Sequence, residues 1–261
     1  METVTIKVVT YNIRYDTTED GKNAFAGNRA QFVKQWLSKF DADLFGFQEV
    51  LPHVKEWLVQ NMPDFQIVGS GRNADFKGEC TCIAFKKSTF DLFSLETFWL
   101  SDTPTIPGSR FPTDQSLCPR VCTCATLIHK QSGKVFYHYN THLDNSGELA
   151  RCCGASMIVQ KIDRDKKVFD GKYILTGDFN AFPDSAVLQT FLAYDKENVT
   201  DTTCLVDHTF HDYERQPNYP RIDYIITDGK TDPKKTFVIK DHTEDGIYLS
   251  DHYPVCAFVE I

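Results

Sequence analysis

The sequence predicts an α/β fold in which β-sheets pack face to face with helices outside them. Two observations carry this. Short apolar runs rich in β-formers alternate with longer amphipathic stretches, and many runs follow each other too closely to leave room for a crossover helix. About a dozen strands and four helices result, too many hairpins for a purely parallel doubly wound sheet.

In chain order, residues 6–10, 43–47, 65–68, 80–85 and 89–98 read as strands, and so do 120–128, 134–140, 173–176, 222–227, 236–240 and 253–259. Residues 28–40 set Phe32, Trp36 and Phe40 on one helical face, with Val33 and Leu37 beside it. Residues 53–60, 147–161 and 185–193 read as further helices. Pro52 suits a first helical turn and Asp184 an N-cap. The longest loops are 16–27 and 101–119, lengths that usually signal function or mobility.

A length of 261 residues with 41% hydrophobic and 25% charged residues excludes a disordered, collagen-like or coiled-coil chain. With no repeat and no linker composition, residues 1–261 are expected to form one domain. The net charge of -8 argues against broad binding to duplex DNA, whose affinity comes largely from phosphate contacts. No run approaches the ~20 apolar residues of a membrane span, and the first residues lack a signal-peptide core, so a cytoplasmic location is expected. The nine cysteines include no C-x-x-C pair. Cys80 and Cys82, like Cys122 and Cys124, fall on one face of a strand and read as small buried hydrophobes; the vicinal Cys152 and Cys153 have no assigned role.

Several motifs fail on inspection. Gly69-Ser-Gly71-Arg-Asn-Ala74 fits a dinucleotide fingerprint, but the next strand begins before any helix could open, so it reads as a turn. The loop from Asp16 to Gly21 resembles a calcium loop but has Gly27 where a bidentate Glu is required. Nucleophile-elbow, zincin and P-loop strings are absent.

What remains is a set of polar residues at strand ends. Asn12 sits just past the first strand and Glu49 follows the second; His142 ends another, and Asp178 with Asn180 closes a fourth. Asp223 lies inside a strand, where an unpaired charge is costly, and Asp251-His252 precedes the last one. Carboxylates, amides and imidazoles in this proportion suit Mg²⁺ or Mn²⁺. A hard cation beside imidazoles and a water-orienting Asp describes hydrolysis of a phosphate ester.

These strings resemble the endonuclease/exonuclease/phosphatase superfamily, with its DNase I-like fold: Val9-Thr-Tyr-Asn12, Gly46-Phe-Gln48-Glu49, Asn140-Thr-His142-Leu-Asp144, Gly177-Asp178-Phe-Asn180, Arg221-Ile-Asp223 and Ser250-Asp251-His252. The resemblance implies a four-layered α/β sandwich of two packed mixed sheets flanked by helices, and a Mg²⁺- or Mn²⁺-dependent phosphoester hydrolase. It implies that Glu49 ligates the metal with Asn12 and Asp251 completing its shell. Asp178 and Asn180 position the attacking water, and His252 contacts the phosphate, oriented by Asp223. His142 stabilises developing charge or assists the leaving oxygen. Glu79 is expected to orient His142, Arg120 to contact phosphate or scaffold, and Asn140 to brace the metal cluster or satisfy backbone. The remaining six histidines read as surface or core residues, and Phe98 and Trp99 as core. Compact bacterial members match best: Ile13-Arg14 and Val50-Leu51 depart from the abasic-site endonuclease branch, and Ala181-Phe182-Pro183 from the inositol-polyphosphate branch. A nucleotide or a short single-stranded nucleic acid is the expected phosphoester partner rather than duplex DNA, with no obligate protein partner. The alternatives are a catalytically silent binding module on this fold and a sphingomyelinase-type lipid phosphodiesterase.

Overall fold

A computed structural model describes residues 3–261. In chain order the strands are β1 (Thr5–Asn12), β2 (Leu44–Gln48), β3 (Phe65–Val68), β4 (Ile83–Lys86), β5 (Phe90–Trp99), β6 (Val121–His129), β7 (Val135–His142), β8 (Lys172–Asp178), β9 (Thr200–Asp201), β10 (Asp223–Thr227), β11 (Lys230–Thr231), β12 (Phe237–Val238) and β13 (Val255–Glu260). The helices are α1 (Ala30–Lys39), α2 (Pro52–Asn61), α3 (Glu148–Lys166) and α4 (Ala186–Ala193).

One sheet runs β11-β13-β1-β2-β4-β3, with β12 also on β13; the other runs β5-β6-β7-β8-β10-β9. Both are mixed, since β1–β2 and β7–β8 are parallel and the other pairs antiparallel. Three apolar layers hold the sandwich together. Val33 and Trp36 of α1 and Val54 and Leu58 of α2 pack on Val9, Phe45 and Phe47 of the first sheet. Ile158 and Ile162 of α3 and Leu188 of α4 pack on Tyr139, Leu175 and Tyr224 of the second. Ile6, Val8, Leu44, Phe136, Ile174 and Ile225 fill the space between the sheets. The expected four-layered α/β sandwich is what the chain forms.

Local differences have local causes. β1 runs two residues further than expected, so Asn12 is its last residue rather than the residue beyond it. Residues 80–82 join the first sheet through isolated bridges from Cys80 to Val50 and Gly71 and a bond from Phe47 N to the Cys82 carbonyl (2.8 Å), and the regular strand starts at Ile83. The N-cap of α4 is Ser185, whose hydroxyl accepts from Leu188 N at 3.3 Å, not Asp184. Pro52 occupies the first turn of α2 as expected. Cys80, Cys82, Cys122 and Cys124 are buried thiols in the apolar layers.

Towards one end of the sandwich the layer between the sheets turns polar. Asn140 donates to the carbonyls of Phe47 (2.8 Å) and Cys82 (2.9 Å) and accepts from Gln48 (2.7 Å) and Thr176 (3.0 Å). Asn140 therefore satisfies backbone and ties the sheets together. Gly46 lies against this group, and a Cβ there would sit 2.0 Å from Thr176 Oγ1. Gly46→Ala is expected to destabilise the protein by ~2 kcal/mol or more through overpacking. A denaturant midpoint unchanged from wild type would contradict this close approach.

His138 adjoins the same belt, 2.8 Å from Thr176 Oγ1, and burial pushes its imidazole down to about 3. Below the unfolded value of ~6.5 the unfolded chain takes up a proton that folded His138 refuses, so its contribution is complete above that pH and is lost as pH falls towards 3. Its slope approaches ~1.4 kcal/mol per pH unit. His138→Gln should make the acid limb of the stability–pH curve shallower, measured by urea unfolding between pH 6 and pH 4.

Candidate active site

Strand alternation decides which side chains reach the polar end. In β1, Ile6 and Val8 face the other sheet, and Asn12 ends that same face. In β7 the face runs from Phe136 to His142, and in β8 from Ile174 to Asp178. β10 begins the face at Asp223 and continues it at Ile225. Pairing aligns these ends, because His142 is opposite Asp178 and Asp178 opposite Asp223. The three residues form a row across three neighbouring strands.

Glu49 follows β2 with a left-handed φ of 61°, and Asn180 follows β8 at 48°. A left-handed Glu is uncommon, whereas Asn tolerates that conformation more readily. The turn at Glu49 brings its carboxylate to Asn12 Nδ2 (3.1 Å) and to the backbone N–H of Tyr15 (2.8 Å). Asn12 Nδ2 also donates to Asp178 Oδ2 at 3.0 Å, and Asn180 N donates to Asp178 Oδ1 at 2.9 Å. Asp251 accepts from Ser250 Oγ at 3.0 Å and lies 3.6 Å from the Arg14 guanidinium.

The two imidazoles differ in charge. His252 Nδ1 donates to Asp223 Oδ2 at 2.8 Å, and its Nε2 is 3.8 Å from Asp178. Burial alone would depress this group, but Asp223, Asp178 and Asp251 outweigh it and push His252 up to about 10. His142 Nε2 accepts from Asn180 Nδ2 at 3.0 Å. Burial, then the charges of Arg120, Arg72 and His252, push it well below the usual histidine range. Asp178 rises to about 7, first through burial and then through Asp223. Environments that drive titratable neighbours apart in this way separate proton donors from acceptors.

Every expected site residue lies at this end of the sandwich, around a cleft of about 580 Å³ that Glu49, Glu79, Arg120, His142, Asp178, Asn180, Asp251 and His252 line. Glu79 departs from expectation. Arg72 takes both its carboxylate oxygens at 2.7 and 2.8 Å, and His142 Nδ1 is buried without a hydrogen-bond partner. Glu79 therefore does not orient His142 here; a bidentate guanidinium fits the carboxylate better. Arg120 meets Asp144 (3.4 Å) and Asn145 (3.0 Å), and one buried nitrogen, Nη1, has no partner. Trp99 and Phe98 are buried, and Trp99 Nε1 holds the Arg72 carbonyl at 2.6 Å.

Sequence reading missed Arg14 and Arg72. Arg14 lies two residues past Asn12 and is gripped by both Asp20 oxygens at 3.0 Å; Arg72 sits inside the turn dismissed as a failed fingerprint. A cation in a glycine turn beside the expected Glu79 was the available signal for Arg72.

The donor atoms suit a divalent cation. Asp178, Asp223 and His252 offer ligand atoms within 4.8 Å of one another, and Asp223 Oδ1 is buried without a hydrogen-bond partner. Burial and the repulsion of Glu49 also hold Asp251 above the ordinary carboxylate range. Buried oxygen donors of like charge are the chemistry that a hard cation relieves.

A sequence model of the endonuclease/exonuclease/phosphatase family matches residues 9–252. The chain belongs to that family. An endonuclease/exonuclease/phosphatase protein from Bacteroides vulgatus is similar at 30% identity, with a TM-score of 0.86 and 99% of each chain covered. A mannosyl-6-phosphatase from Bacteroides thetaiotaomicron matches at 25% identity and a TM-score of 0.82, over 98% of this chain and 99% of that one. A TDP2 protein from D. rerio, in complex with a single-strand DNA product, shares the fold at 18% identity and a TM-score of 0.73, over 97% and 98%. An uncharacterized mimivirus protein is 25% identical over 60% of this chain, and the match spans 65% of its own length. Members of the family are metal-dependent phosphoesterases. No helix among the described residues is long and apolar enough to cross a membrane.

The charge on His252 yields a direct test. Asp223→Asn should lower the His252 titration midpoint by ~2 units or more, because the largest favourable charge is lost while burial remains. Imidazole NMR on the metal-free protein reads this, and an unchanged midpoint would refute the pairing.

Proposed function

We propose that this family member is a Mg²⁺- or Mn²⁺-dependent hydrolase of small phosphoesters. The observation that carries the reading is the row His142–Asp178–Asp223, with His252 hydrogen-bonded to Asp223 at 2.8 Å above it. Glu49, Asn12 and Asp251 would hold the ion. Asp223 is less suited as a ligand, because its carboxylate already fixes the His252 ring. A bound hard cation would neutralise charge on the phosphoryl oxygens.

The protein's own groups divide the remaining work. Asp178, raised by burial, accepts a proton from water aligned for in-line attack, and Asn180 steadies Asp178 through its backbone N–H. His252, kept protonated, donates to a phosphoryl oxygen through Nε2. Neutral His142 holds Asn180 through Nε2, and the Arg120 guanidinium on the cleft wall adds positive charge that favours developing negative charge. Three arginines, Arg14, Arg72 and Arg120, line the cleft and suit a compact dianion such as a phosphomonoester. The mannosyl-6-phosphatase relative supports a small sugar phosphate over the nucleotide or short nucleic acid read from sequence, and the net charge of -8 agrees with a small substrate.

Wild type is expected to hydrolyse an aryl phosphate in Mg²⁺ or Mn²⁺ but not in excess chelator, and Asp178→Ala should cut kcat by ~100-fold or more. Equal turnover by Asp178→Ala would end this reading. Titration with Mn²⁺ should show Glu49→Gln weakened by about tenfold or more while Asp223→Asn still binds; the reverse order would move the ion to the Asp178–Asp223–His252 group.

A further inference from the structure

The cleft has an aromatic side that the chemistry above does not use. Phe210 packs on His252 with ring centroids 4.9 Å apart, Tyr219 on Phe210 at 5.2 Å, and Phe182 on Tyr219 at 5.5 Å. Phe210 and Tyr219 line the cleft, while Phe182 stands 42% exposed at the outer end of the ladder. The Tyr219 hydroxyl makes no hydrogen bond among the described residues. A run of rings leading outward from a catalytic imidazole is an apolar surface inside an otherwise polar cleft.

We propose that Tyr219, backed by Phe210 and Phe182, holds the sugar ring of the leaving alcohol and makes this enzyme select cyclic sugar phosphates over acyclic ones. The proposal rests on the hydrolase reading above and names the substrate class of that same site. A pyranose offers one apolar C–H face and a rim of hydroxyls, so it needs a single aromatic face with polar groups at the edge. Tyr219 supplies the face. Asp212 also lines the cleft, and Arg215 takes only Oδ1 of its carboxylate, at 2.5 Å. The other oxygen is available to a hydroxyl. The rings meet edge to face, at 79° between Phe210 and Tyr219 and 63° between Phe182 and Tyr219. That arrangement offers a single ring face with no second parallel ring to sandwich a flat base.

The platform is fixed relative to the reaction centre. His211 N and Asp212 N both donate to the Asp251 carbonyl (2.9 and 3.1 Å), and Tyr253 N donates to the Thr209 carbonyl at 2.7 Å. Asp212, Tyr213 and Glu214 hold consecutive left-handed φ values of 47°, 54° and 66°, strain that persists only where surrounding contacts impose it. Gln216 N donates to the His211 carbonyl (3.0 Å) and Tyr219 N to the Gln216 carbonyl (3.3 Å), which ties Tyr219 back to this anchored segment. The ring contacts put Tyr219 one ring, Phe210, beyond His252.

The test compares kcat/KM in Mg²⁺ for a hexopyranose 6-phosphate, glycerol 1-phosphate and adenosine 5′-monophosphate, in wild type, Tyr219→Ala, Tyr219→Phe and Tyr219→Trp. Wild type should favour the hexose ester over the glycerol ester by about tenfold or more. Tyr219→Ala should collapse that ratio to about twofold or less, and Tyr219→Phe and Tyr219→Trp should preserve it. Because the readout is a ratio on one enzyme sample, a general loss of folding or chemistry does not move it. A ratio unchanged in Tyr219→Ala, or lost equally in Tyr219→Phe, overturns the platform and leaves the hydrolase reading intact. A Tyr219-dependent preference for the nucleotide overturns the sugar assignment. No turnover of any ester by wild type overturns the hydrolase reading and the inference with it.

Discussion

The arrangement of this protein depends on one constraint: two sheets share an interior that is apolar at one end and polar at the other. Strands expose alternate residues to that interior, so a single two-residue rhythm carries each strand from core to chemistry. Ile174, Thr176 and Asp178 show the gradient within one strand, from hydrocarbon through hydroxyl to carboxylate. The polar middle is possible because Asn140 uses both amide hydrogens on carbonyls of the opposite sheet and its oxygen on two donors. An incomplete version of that belt would leave costly unpaired groups in the interior. The site therefore rests on a polar contact between sheets as well as on the apolar layers.

Much of this was legible in the sequence. Apolar runs and amphipathic helices gave the layers, and polar residues ending those runs gave Asn12, Glu49, His142, Asp178, Asn180, Asp223, Asp251 and His252 as a set. Strand ends are legible because alternation is local. Pairings between side chains far apart in sequence are not. Nothing near Glu79 shows whether His142 or Arg72 will win its carboxylate, since that depends on how a turn from 69 to 78 folds over the end of the second sheet. The aromatic ladder was invisible for the same reason: Phe182, Phe210, Tyr219 and His252 come from four separate segments and meet only in three dimensions. The short strands β9, β11 and β12 were missed or overextended because two-residue pairings have no periodicity to read.

The electrostatics of the site follow from that placement. Burial alone would neutralise all its titratable groups, yet His252 keeps its proton because three carboxylates surround it. His142, a few ångströms away across Asp178, loses its proton because burial disfavours the charge and the neighbouring arginines add to that. One carboxylate thus stands between an imidazolium and an imidazole. Their difference is set by neighbours on separate strands rather than by any intrinsic property of histidine.

The pairing of β1 with β13 has a temporal consequence. β1 carries Asn12 and lies inside its sheet between β2 and β13, and the partner strand begins at Val255, just past Asp251 and His252. During synthesis β1 can pair with β2 early, but its other edge must wait until β13 has been made. The nascent protein thus carries β1 paired on one edge only until β13 is made, an open edge exposed to misassociation. The bond that closes the sheet is also the event that delivers the last two site residues, so completion of the fold and acquisition of chemistry coincide.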